Sequence, residues 1–106
     1  SDNVQWHVLG HELASGKIIL VVRHPEELHK GAFKNALNIP LNELRERLGE
    51  LDKKESYIVS CQSGLRAYHA ERILKQHGFS VQNLDGAYAL YSTVTNELLE
   101  DKSGTL

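Results

Sequence analysis

The feature that most constrains the fold is a series of short, continuously apolar runs, each followed by a stretch of helical spacing. "KIILVV" (17–22) is the longest of them, rich in β-branched residues and of strand length. A strand with one wet face alternates apolar and polar residues, whereas a continuous run belongs to a strand covered on both faces. "YIVS" (57–60) reads the same way, and "SVQNL" (80–84) is a further strand. Strands that alternate with helices over such short distances predict an α/β chain with a small, mainly parallel sheet and helices on both faces.

The intervening segments carry start and stop signals. "HVLGHELASG" (7–16) reads as a short helix closed by Gly16. In "HPEELHKG" (24–31), Pro25 suits a first helical turn, Glu26 and Glu27 its positive end, and Gly31 its stop. "ALNIP" (36–40) is a short strand ended by Pro40. "LNELRERLGEL" (41–51) predicts a helix with Leu44, Leu48 and Leu51 on one face and Asn42 as its N-cap. Residues 66–77 give the clearest helix: Ala67, Ala70, Ile73 and Leu74 share a face, Glu71 and Lys75 form an i, i+4 pair, and Gly78 stands at the C-cap. Asp85–Gly86 signals a turn, and "AYALYSTVTNELLEDK" (87–102) reads as helical. Ser1 to Asn3 carry no weight in this reading.

A chain of 106 residues fits one domain, taken here as 1–106. The net charge of −2, with both signs spread along the chain, gives no footprint for nucleic acid or an anionic membrane. The longest apolar run, "IILVV", is far too short to span a bilayer. One cysteine forms no intrachain disulfide and no zinc–thiolate site, which fits a reducing, cytoplasmic setting. The six histidines show no ligand spacing with carboxylates and read as solvated or packed residues, so no metal is expected. His69, one turn into the 66–77 helix, is the one that would line a pocket there, though exposure is the simpler reading. No cofactor is expected.

The cysteine is Cys61, in "YIVSCQSGLRAYHAERILKQHGF". In parallel α/β sheets, ligands sit beyond the carboxyl ends of the strands, where loops lead into helices, and Cys61 falls at such a place. A thiolate there faces the unpaired N–H groups of a helix N-terminus and the permanent charge of Arg66. Gly64 lets the loop curl into a nest of N–H groups that suits a thiolate, a persulfide or an oxyanion. A buried structural thiol is the plain alternative for any lone cysteine; the coincidence of strand, "CQSGLR" and capped helix favours a reactive one. Ser63 has no base near it in sequence and reads as a loop hydroxyl that donates to bound sulfur. Cysteine phosphatases use C-x5-R; this chain has C-x4-R, a tighter ring that suits a sulfur atom better than a phosphoryl group.

"CQSGLRAYHAERILKQHGFSVQNLDGAY" resembles the active-site loop, helix and following strand of the rhodanese family. "LVVRHPEELHKGAFKNALNIPLNELRERL" resembles that family's upstream signature, "DVR-x-PEE-x-x-x-GHIPGA-x-NIPL". Together they cover roughly Trp6 to Tyr91, and are most similar to the C-terminal rhodanese domains of coenzyme A-disulfide reductase-like flavoproteins and to single-domain members. The resemblance implies a rhodanese-like fold and a thiosulfate or persulfide sulfurtransferase. Cys61 would carry sulfur as a persulfide and yield it to cyanide, a small thiol or a protein. The N–H groups of Gln62, Ser63, Gly64, Leu65 and Arg66 would cradle that sulfur, and Arg66 would support the thiolate and the anionic donor. It also implies a flavoprotein or a sulfur-carrier protein as partner.

Three departures stand out. "LVVR" replaces "LDVR", a loss of a carboxylate that we place at Val22; "GAFKNA" replaces "GHIPGA"; Ala67 replaces a frequent Ser. The lost carboxylate keeps a second function open, a non-turnover binding or sulfur-relay module. A small phosphatase or arsenate reductase is a third, which the short loop argues against.

Overall fold

The computed structural model describes residues 3–4, 9–24, 32–33, 35–60, 65–84 and 99–100. Its centre is a five-stranded, wholly parallel sheet made of β1 (Asn3–Val4), β2 (Ile18–Val21), β4 (Leu37–Asn38), β5 (Ser56–Ser60) and β6 (Ser80–Leu84), in the order β1-β6-β5-β2-β4. β5 is flanked on both sides, with Leu20 beside Val59 and Tyr57 beside Val81. Both faces of its continuous apolar run are buried. Tyr57 and Val59 join Leu20, Val22 and Val81 in the main core, while Ile58, Ile19 and Val21 are buried on the opposite face. That is why the alternation of a half-wet strand is missing here.

Among the described residues two α-helices serve this sheet. α1 (Leu9–Ala14) buries Leu9 and is followed by Gly16, whose φ of +104° suits only a residue without Cβ. Lys17 then ion-pairs with Glu12 at 2.7 Å and donates to Gln82 of β6 at 2.8 Å, joining α1 to the sheet. α2 (Leu65–Gln76) lies over β5 and β6 and buries Ala67, Ala70 and Leu74 in the main core. It closes in a Schellman motif: Phe79 N–H donates to the Leu74 carbonyl, Gly78 N–H donates to that of Lys75, and Gly78 takes φ +85°. Phe79 and Leu74 complete the motif with their shared place in the core. The Phe79 ring meets Tyr57 edge-on at 6.3 Å, and the Tyr57 hydroxyl accepts from Asp52 N–H at 2.9 Å. Among the described residues no helix is long and apolar enough to cross a membrane.

Three expectations need correction. Residues 41–51 form two tight 3₁₀ segments, Leu41–Glu43 and Arg45–Glu50, instead of an α-helix. Their bonds run i→i+3, from Glu43 N–H to Pro40 and from Leu44 N–H to Leu41. Asn42 lies inside the first turn and caps nothing; Leu41 N–H is taken by the Val22 carbonyl at the sheet end, so the segment starts from the sheet rather than from a side-chain cap. The apolar face survives, with Leu44 and Leu51 buried and Leu48 packed against the core. Second, the end of the expected 87–102 helix is β7 (Leu99–Glu100), paired antiparallel with β3 (Ala32–Phe33). A partner strand overrides the weak helical preference of two residues. Third, β1 makes Asn3 part of the sheet, at its edge beside β6. The expected turns and helices within 25–31 and 85–98 lie outside the described residues.

Candidate functional site

The order of the sheet defines one switch point. From β2 the chain goes outward to β4 on one side; from β5 it goes outward to β6 on the other. Their carboxyl ends therefore lead in opposite directions, and a crevice opens between such strand ends in parallel α/β sheets. Residues 22–24 leave β2 there, and β5 ends there at Ser60.

The β2 exit is held by a dense set of bonds. Val22 N–H donates to the Ser60 carbonyl at 3.0 Å, tying it to the last residue of β5. The Val21 carbonyl accepts from Ile39 N–H at 3.0 Å, and the Val22 carbonyl from Leu41 N–H at 3.2 Å. Asn38 completes the clamp: its Nδ2 donates to the carbonyls of Val21 at 2.9 Å and Arg23 at 2.8 Å. Arg23 itself is only 5% exposed, a cationic side chain folded into the end of the sheet.

The β5 exit runs into α2. Leu65 opens that helix, 64% exposed, and Arg66 follows, partly exposed, in the same first turn. The first turn of any α-helix offers N–H groups with no intrahelical partner. Ala67 and Ala70 are small enough to bring the helix close to the sheet, and both are fully buried. Of the six residues assigned to the site from sequence, Leu65 and Arg66 are thus found at the head of α2. Cys61, Gln62, Ser63 and Gly64 lie outside the described residues, between Ser60 and Leu65 in the chain.

Counting back from Arg23 moves the "LDVR" departure from Val22 to Val21. Val22 is fully buried in the main core, whereas Val21 pairs with Ser60 on the opposite face. The carboxylate missing from this chain is therefore one that would sit beside the last residue of β5.

One polar residue escaped the sequence reading, as did the burial of another. Asn38 was read only as part of a short strand, yet its amide fixes the β2 exit. The available signal was an amide side chain between apolar neighbours in a strand, where a buried polar group needs partners. Glu71 was placed correctly in its pair with Lys75, 3.0 Å apart, but it is only 2% exposed and belongs to the inner side of α2. His69 lies exposed on α2, and lines a cavity with residues that sequence spacing did not connect to it.

The fold and motif agree with the known proteins that this chain resembles. A sulfurtransferase of Allochromatium vinosum is 35% identical over 88 residues, covering 80% of this chain and 82% of its own. The crystal structure of reduced CoADR-RHD from Bacillus anthracis superposes with a TM-score of 0.86 at 42% identity, covering 92% of this chain and 18% of that one. A NAD-dependent persulfide reductase from A. fulgidus superposes with a TM-score of 0.70 at 35% identity, covering 85% of this chain and 16% of that one. The chain thus spans less than a fifth of either of these two proteins. The rhodanese-like domain profile matches residues 6–93, and the chain belongs to the rhodanese-like domain family.

Proposed function

We propose that this chain is a sulfurtransferase that carries sulfur as a persulfide on Cys61. The observation that bears most of the weight is positional: Cys61 follows directly on Ser60, at the switch point of the sheet, and α2 begins four residues later with Arg66 in its first turn. A helix N-terminus and a guanidinium both favour the thiolate, the form that attacks sulfur. With thiosulfate as donor, the Cys61 thiolate attacks the outer sulfur, the donor S–S bond breaks, and sulfite leaves with the electron pair. In the second half, an acceptor attacks the outer sulfur of the persulfide, and Cys61 returns as a thiolate. Charge and sulfur balance in both halves, so no external oxidant is required. The N–H groups of Gln62 through Arg66 hold the terminal sulfur, and the Arg66 charge draws in anionic donors.

Cys61 is the only cysteine, so no second thiol in this chain resolves the persulfide. The acceptor comes from outside: cyanide in the test tube, and a small thiol or a protein thiol in the reducing cytoplasm. The two longer chains that embed a similar domain, one of them a persulfide reductase, make a flavoprotein or another sulfur protein a fitting partner. Their small shared fraction also supports a second reading, a relay domain that passes sulfur to an attached or docked protein without turning over small substrates. Steady-state formation of thiocyanate from thiosulfate and cyanide separates the two. The transferase reading expects multiple turnovers per chain, and no thiocyanate contradicts it; a gain of one sulfur atom in mass without turnover supports the relay, and no gain contradicts both.

A further inference from the structure

α2 presents an exposed stripe at helical spacing: Leu65, His69, Arg72 and Gln76 stand at i, i+4, i+7 and i+11. Arg45, the first residue of the second 3₁₀ segment, comes up beside it. Arg45, His69, Arg72, Ile73 and Gln76 together line a cavity of about 140 Å³. Among the described residues no carboxylate lines it.

Two other cations on these elements are matched by acids. Arg47 is forked between Glu43 at 3.0 Å and Glu50 at 2.7 Å, and Lys75 meets Glu71 at 3.0 Å. Arg45 and Arg72 make no ion pair among the described residues, although Glu46 adjoins Arg45 in the chain. Two guanidiniums and an imidazole thus converge on one concave site within a chain whose net charge is negative. A planar guanidinium fork matches the oxygens of a phosphate in a bidentate manner, and two forks on one cavity favour a phosphate over a single carboxylate. The amide of Gln76 adds a neutral donor at the same wall. The stripe starts at the residue that follows the Cys61 loop, and Leu65 to Arg72 covers about 10 Å of helix.

We propose that Arg45, His69 and Arg72 form a subsite for a phosphate-class anion, and that the acceptor of the Cys61 sulfur is a thiol on an arm ending in such a group. The second half of this statement rests on the sulfur-transfer reading above. The acceptor thiolate attacks the outer persulfide sulfur, the bond to Cys61 breaks, Cys61 leaves as a thiolate, and the acceptor departs as a persulfide. The subsite takes no part in the bond changes; it holds the far end of the acceptor.

Two arms test the proposal. In the first, the full chain is titrated with inorganic pyrophosphate and followed by ¹⁵N-resolved NMR. Saturable shifts centred on His69 to Gln76 and on Arg45 are expected, and binding should weaken by about tenfold or more in R45Q/R72Q. Both side chains are exposed, so the variant should fold as the parent does. Absent saturation, or equal binding by the variant, overturns the subsite. In the second arm, the loaded protein is discharged with mercaptohexyl phosphate or with mercaptohexanol. The phosphate thiol is expected to have the lower KM, and R45Q/R72Q to raise that KM about tenfold while leaving mercaptohexanol unchanged. Equal KM values for the two thiols in the parent overturn the acceptor assignment, even where pyrophosphate binds. A chain that takes up no sulfur at all overturns the transfer reading and the acceptor assignment with it; the pyrophosphate arm then still decides the subsite.

Discussion

The two chain exits at the carboxyl end of the sheet are built on different principles. The β2 exit is pinned by polar bonds: five hydrogen bonds, donated by the N–H groups of Val22, Ile39 and Leu41 and by the Asn38 amide, fix the backbone of residues 21–23 against their neighbours. The β5 exit is anchored by apolar burial, through Ala67, Ala70 and Leu74 of α2, seated on β5 and β6. Hydrogen bonds are directional and act on single carbonyls, whereas burial is non-directional and acts on a whole element. The first arrangement sets the exact course of a short backbone stretch. The second holds a helix, and hence its N-terminal end, at a set distance from the strand. A site between the two has one wall of each kind.

Separating chemistry from anchoring gives the largest expected effect. Cys61→Ser should reduce sulfur transfer to the protein-free background, since a serine hydroxyl is a far weaker acid and forms no persulfide. Urea unfolding should still show a folded protein, since the change exchanges a single side-chain atom. A serine variant that still makes thiocyanate at the parent rate would refute the mechanism.

Next comes the apolar anchor. Leu74 is fully buried between α2 and the sheet and contributes its carbonyl to the Schellman turn. Leu74→Ala should cost about 2–5 kcal/mol in urea unfolding, through lost burial and the cavity left behind. The loss should be global, lowering protection from hydrogen exchange in β5 and β6 as well as in α2. Loosening confined to α2 would show that the helix is not what holds this half together.

The polar pin should break locally. Asn38→Ala removes two hydrogen bonds and leaves the Arg23 carbonyl without the Asn38 amide, which should cost about 1–3 kcal/mol. Faster exchange is expected at the Val22 and Leu41 amides, with α2 unchanged. A uniform rise in exchange across the sheet would erase the contrast between the two exits.

The smallest effect lies away from both. The Arg47 guanidinium donates to Glu50 and holds its carboxyl below the ordinary range. Because the folded value is depressed, the pair adds stability above the ordinary carboxylate value, and that increment fades as pH falls through the lowered one. Arg47→Gln should therefore return Glu50 to the ordinary range in an NMR titration. Glu50 is exposed and Arg47 about one-third so, and unfolding at neutral pH should hardly move. An unshifted Glu50 titration would mean that the bridge is not populated in solution.

How far the sequence could be read follows the same divide between local and distant contacts. The β5–α2–β6 unit was legible almost to the residue, because its β-branched run, its small-residue helical face and its Gly78 stop all agree locally. The leucine spacing of 41–51 predicted the buried face but not the helix type, since Leu44, Leu48 and Leu51 bury equally well on 3₁₀ turns launched from the sheet by Leu41 N–H. The β3–β7 pairing joins residues 32–33 to 99–100, a contact no local window contains. At the site, the motif located Cys61 at a strand-to-helix junction, and Leu65 and Arg66 fell at the head of α2. Asn38 was not legible, because an amide becomes a clamp only when another strand presents its carbonyls.

The central claim is that Cys61 carries transferable sulfur, and intact-mass spectrometry tests it most directly. The protein is exposed to thiosulfate or polysulfide, desalted, and measured before and after addition of a thiol. The account predicts a gain of one sulfur atom, stable in the protein alone, lost on adding the thiol, and absent in Cys61→Ser. A parent that gains no sulfur, or a serine variant that gains as much, would contradict it.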